Sequence, residues 1–117
     1  MNQVKNNMFS YKGHYATVEF DVGKMTLRGT IHGLKDRVVF ESKDADDIEA
    51  TFHKALDEYL DKCKEAGKNP DKEYKGSLNI RIPPELHKKM IILAAHDGIS
   101  LNSMVEKAMQ AYIRDKI

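Results

Sequence analysis

Between residues 14 and 41 apolar and polar side chains alternate in three short runs. Over residues 14–20, Ala16, Val18 and Phe20 share one face and Tyr15, Thr17 and Glu19 the other, the period of two of a half-buried strand. Asp21-Val22-Gly23-Lys24 reads as a turn. Residues 24–32 then set Met25, Leu27, Gly29 and Ile31 against Thr26, Arg28 and Thr30, so the two runs predict an antiparallel hairpin. A second turn over residues 33–35 leads into the β-branched run 37–41, a third strand of the same meander. The polar residues ahead of this meander read as a frayed start.

The period then changes to that of a helix. Ile48, Phe52, Ala55, Leu56, Tyr59 and Cys63 form one apolar stripe within residues 44–66. Ser42 or Asp44 can cap this helix, and Asp44, Asp46, Asp47 and Glu49 suit the positive end of its dipole. The polar stretch from Gly67 to Gly76, with Pro70 inside, reads as a linker. This predicts an α+β chain with a first domain over residues 1–67, a linker over 68–76 and a second domain over 77–117. The second domain opens on a lone strand, Ser77-Leu78-Asn79-Ile80-Arg81-Ile82, which stops at Pro83 and Pro84. A helix follows from Pro83 or Pro84 to Gly98, and another begins after a cap at Ser100.

Composition narrows the class. With 32% charged and 41% hydrophobic residues, and no apolar run near the ~20 residues of a membrane span, the chain reads as a soluble protein. The lone Cys63 cannot form an internal disulfide, so a reducing cytoplasm is the expected setting. Net charge is only +1, which by itself gives no pointer to nucleic acid. His14, His32, His53, His87 and His96 lack metal-ligand spacing, so no metal or other cofactor is expected.

A single strand has two unpaired edges, and about 40 residues without a metal or disulfide bury too little apolar surface to fold alone. The economical solution is a second copy. Two strands would pair across a two-fold axis over four interlocking helices, with a core of Leu78, Ile80, Ile82, Leu86, Met90, Leu93, Leu101, Met104, Val105, Ala108 and Tyr112. Ser77, Asn79 and Arg81 would then form the outer face of a two-stranded ribbon that fits the DNA major groove, where Asn pairs with adenine and Arg with guanine. Alternation ending in Ile-Pro, a first helix ending at Asp-Gly and Ser-Leu-Asn-Ser opening the second resemble the ribbon-helix-helix DNA-binding fold. That resemblance implies that Ser77, Asn79 and Arg81 read bases. It also implies that Ser100, Leu101, Asn102 and Ser103, at the start of the last helix, hold a DNA phosphate.

The first 75 residues extend the resemblance. Tyr11-Lys12-Gly13-His14-Tyr15, Gly29-Thr30-Ile31-His32-Gly33-Leu34, Val39-Phe40-Glu41 and the run from Tyr59 to Pro70 are similar to a HicB-type antitoxin. The family implies a degraded ribonuclease H-like first domain that blocks HicA, a small ribonuclease toxin. Its second domain would repress the operon encoding both, as a homodimer or a pair of dimers in the bacterial cytoplasm, at the nucleoid when DNA-bound. The acidic cluster at residues 44–49 compensates the helix dipole or, alternatively, faces the basic toxin. Catalysis is not expected, because only Glu19 or Asp21 stands on a strand where a two-metal carboxylate site could start. The alternative is a stand-alone ribbon-helix-helix regulator with no toxin partner.

Overall fold

The computed structural model describes residues 7–117. The chain divides into two compact units, one ending at Lys75 and the other spanning Gly76–Ile117.

The first unit is an antiparallel meander of four strands, β1 (Met8–Tyr11), β2 (His14–Asp21), β3 (Thr26–His32) and β4 (Val38–Ser42), in the order of the chain. A 3-10 turn, Ala45–Asp47, leads into helix α1 (Ile48–Glu65). The expected sheet of three strands therefore gains a fourth, β1. Its signal lies in Phe9 and Tyr11 at a spacing of two, followed by a two-residue turn in which both Lys12 (φ 51°) and Gly13 (φ 77°) are left-handed. That is the hairpin geometry whose twist matches the flanking strands. β3 starts at Thr26 because Lys24 and Met25 belong to the loop, where the Asp21 Oδ1 accepts the Lys24 N–H at 3.2 Å.

The register aligns Phe9 with Ala16, Ala16 with Ile31 and Ile31 with Val38, and beside them Val18 with Gly29 and Gly29 with Phe40. These residues make one apolar face, and the α1 stripe covers it. Ile48, Phe52, Leu56 and Cys63 are buried. Phe52 is the hub, with ring centroids at 6.3 Å from Phe9, 6.1 Å from Tyr11 and 5.5 Å from Phe40. Asp44 caps the 3-10 turn, its Oδ1 accepting the Asp46 N–H at 3.1 Å.

Two attachments hold the loops. Tyr59 donates from its hydroxyl to Asp36 Oδ2 at 3.0 Å and accepts the Asp36 N–H at 3.3 Å, tying the β3–β4 loop to α1. Burial first, and then the neighbouring Cys63 and Asp36 side chains, push the Tyr59 phenol up to about 12. The same loop receives residues 70–72 of the expected linker: Lys35 N–H donates to the Pro70 carbonyl and Lys72 N–H to the Gly33 carbonyl, both at 2.9 Å. Leu34, between them, is buried.

In the second unit α2 (Pro84–Asp97) and α3 (Leu101–Ile113) pack as a helical pair. Pro84 occupies the first turn, where a missing N–H costs nothing. Gly98 closes α2 at φ +68°, with its N–H on the Ala95 carbonyl and that of Ile99 on the Ala94 carbonyl, the paired bonds of a Schellman stop. The strand expected over residues 77–82 is not formed. The segment has no regular secondary structure and no ladder partner among the described residues, and a strand exists only by pairing. The fold is thus a four-stranded meander followed by three helices, with no clear ribbon-helix-helix.

Candidate functional site

The segment ahead of α2 begins at Gly76 and ends at Pro83, whose φ of −58° and ψ of 139° deliver the chain into the helix. Ser77, Asn79 and Arg81 are exposed along it. Leu78 and Ile80, which alternate with them, are 68% and 61% exposed, and Ile82 is half-buried. With Met90 of α2 and Leu101 and Val105 of α3, these three apolar residues line an open groove of about 630 Å³.

The helices continue the same surface. Leu86, Leu93 and Tyr112 are 48%, 53% and 72% exposed, Met90, Leu101, Met104 and Val105 are half-buried, and Ala108 is exposed. Among these forty-odd residues Ala94 alone is buried. A unit with so little interior leaves most of its apolar area in water, whereas close packing is what stabilises small folds. Charge is modest here. Arg81, Lys88 and Lys89 lie near the start of the unit, with Glu85 beside them.

Ser100 starts α3 in extended geometry, and its Oγ accepts the Ser103 N–H at 3.0 Å. The N–H groups of Leu101 and Asn102 precede the first intrahelical acceptor and so face outward. No acidic side chain stands in that first turn, so the positive end of the dipole is left uncompensated.

The first unit carries a polar seam instead. Lys12 Nζ lies 2.7 Å from Asp57 Oδ1, and the Tyr11 hydroxyl donates to Asp57 Oδ2 at 3.1 Å. The Lys12 hydrogen bond holds the Asp57 carboxyl below its ordinary range, and the same bond raises the Lys12 ammonium. Tyr11 stacks on His53 at 3.8 Å, and His14 Nε2 meets Asp71 Oδ1 at 2.8 Å. These pairs clamp the β1–β2 turn to α1 and to residues 70–72. Glu19 pairs across strands with Arg28, and Asp21 is occupied in its turn. Among the described residues no three His, Cys, Asp or Glu side chains converge as metal ligands, and no helix is long and apolar enough to cross a membrane.

Residues 59–109 match the model of the HicB family. Over that stretch, from the second half of α1 through Met109 in α3, the chain is HicB-like. No curated protein and no solved structure matches the chain.

Proposed function

We infer that this chain is a dual-function antitoxin. The second unit dimerises and binds operator DNA through Asn79 and Arg81, with Ser77 beside them and the Ser100–Ser103 turn on a phosphate. The first unit binds and neutralises a HicA-like ribonuclease toxin, and the complex represses its own operon. The observation that carries the reading is the unpaired segment of residues 77–82. It alternates exposed Leu78 and Ile80 with exposed Ser77, Asn79 and Arg81, and both its edges are without a strand. A second copy in antiparallel register would satisfy those edges and cover the apolar side chains together, leaving the polar ones outward. The similarity of residues 59–109 to the HicB family supports the same reading.

Light scattering on the full chain tests the dimer, and fluorescence anisotropy with duplex from upstream of its own gene tests the operator. A monomer at micromolar concentration that shows no preference for that duplex over scrambled DNA would defeat the second half of the reading. Co-expression with a HicA-family toxin tests the first half, through rescue of growth. Operator binding without rescue would favour the stand-alone regulator.

A further inference from the structure

Three large apolar side chains stand exposed within six residues of the β2–β3 hairpin: Phe20 at 52%, Val22 at 73% and Met25 at 65%. The loop between the paired residues Asp21 and Thr26 ends on Met25, whose φ of 53° is left-handed. In that region a Cβ crowds a backbone carbonyl oxygen, so glycine is the residue that enters it without strain. Gly23, two positions earlier in the same loop, does not take that conformation. The loop thus has its glycine where none is required and a methionine where glycine would relax it. A non-glycine residue in that region is uncommon, and the side chain it carries there is the feature to test. The group held here is long, unbranched and polarizable, the kind of side chain that adapts to a partner surface.

The register gathers carboxylates around this tip. On the sheet face opposite Phe20, Glu19 and Glu41 flank Arg28; Asp21 opens the loop, and β4 runs out at Ser42, the register partner of Leu27, into Asp44, Asp46 and Asp47. Lys24 lies 3.6 Å from Glu41, and Lys43 is the other lysine at this end. Carboxylates therefore outnumber cations. Exposed apolar side chains at a net anionic end of a sheet disfavour nucleic acid and anionic lipid and complement a basic protein surface.

We propose that the β2–β3 tip, with Phe20, Val22 and Met25 exposed at the anionic end of the sheet, is the surface on which the first unit docks a basic protein partner. The proposal rests on the antitoxin reading and locates its toxin contact. Met25 keeps a strained backbone for the contact its side chain makes.

The test titrates the full chain with a purified HicA-family protein, comparing wild type, Met25→Gly and Val22→Asn. Met25→Gly should raise the melting temperature of the first unit while weakening binding by about tenfold or more, as loss of an anchoring side chain does. Val22→Asn, at an exposed loop position, should leave the melting temperature alone and weaken binding by roughly fivefold. Wild-type affinity in both variants would overturn the docking surface and leave the antitoxin reading standing. Failure of the wild type itself to bind would overturn both. A Met25→Gly protein that melts below wild type would overturn the role given to Met25.

Discussion

The Phe40 ring fills the space where residue 29 would carry a Cβ: an atom built there on Gly29 would stand 2.0 Å from Phe40 Cζ. The two residues are register partners on β3 and β4, and the far side of the ring stacks on Phe52. Glycine in a central strand is unfavourable by propensity, so its value here is the room it leaves for the aromatic ring.

Gly29→Ala should therefore overpack the sheet. A loss of about 1–3 kcal/mol is expected, read as a lower urea midpoint at unchanged slope. Phe40→Leu in the same chain should recover part of that loss in a double-mutant cycle, because the clash needs the ring. An unaltered midpoint in Gly29→Ala would mean that the ring can relocate freely.

The turn between α2 and α3 can be separated into its structural and its binding roles. Gly98→Ala forces a Cβ into the left-handed region, and Ser100→Ala removes the cap on the Ser103 N–H; each should lower stability by about 1 kcal/mol. Ser100→Asp keeps a capping oxygen and adds negative charge, so it should melt like wild type but bind operator duplex more weakly. Equal DNA affinity for Ser100→Asp would rule out a phosphate at this helix start.

Asn79→Ala should cost about 1–3 kcal/mol against the preferred operator and little against scrambled duplex, since a base contact discriminates sequences. Arg81→Ala should abolish the preference and also shallow the dependence of affinity on salt. Binding of the HicA-family protein should persist in both variants. Its loss in parallel with DNA binding would indicate misfolding.

The polar pairs of the first unit set its stability against pH. Asp57 has a depressed folded value, so its contribution is present above the ordinary carboxylate range and is lost as pH falls through that depressed value. Lys12 and Tyr59 have raised folded values, so theirs are complete below the unfolded values and are lost on the alkaline side; for Tyr59 the window runs from about 10 to about 12. Denaturant titrations across pH should show Tyr59→Phe flattening the alkaline limb and Asp57→Asn flattening the acid one. An alkaline limb unchanged in Tyr59→Phe would assign that loss to other groups.

Legibility in the sequence followed the number of residues over which a pattern repeats. The α1 stripe from Ile48 to Cys63 spans more than four turns, and each of its residues is buried or half-buried where the period places it. β1 has only four residues, with a single alternation from Phe9 to Tyr11, so its partner register and the turn at Lys12 and Gly13 establish it more than its composition does. Residues 70–72 read as linker because their side chains are polar, but what holds them is backbone bonding to the Gly33–Lys35 loop, which composition does not encode. The alternation over residues 77–82 is plain in the sequence and leads to no strand in one chain, because pairing is a property of two segments. At the candidate site, Ser77, Asn79 and Arg81 are exposed, but so are Leu78 and Ile80, so one chain does not separate the two faces that the alternation implies. The exposed tip at Val22 and Met25 is different: its interest lies in the left-handed φ of Met25, and turn residues alone do not report a dihedral angle.

The near-absence of buried residues around Ala94 turns concentration into a folding variable. Were a second copy to supply the rest of its interior, as proposed, the Gly76–Ile117 unit would fold in a bimolecular step, and its melting temperature would climb as protomers accumulate. Freshly synthesised, dilute chains would then hold a formed first unit and an unfinished second one. Proteases that attack open segments would see the second unit first, and the molecule would gauge its own abundance before it could occupy DNA.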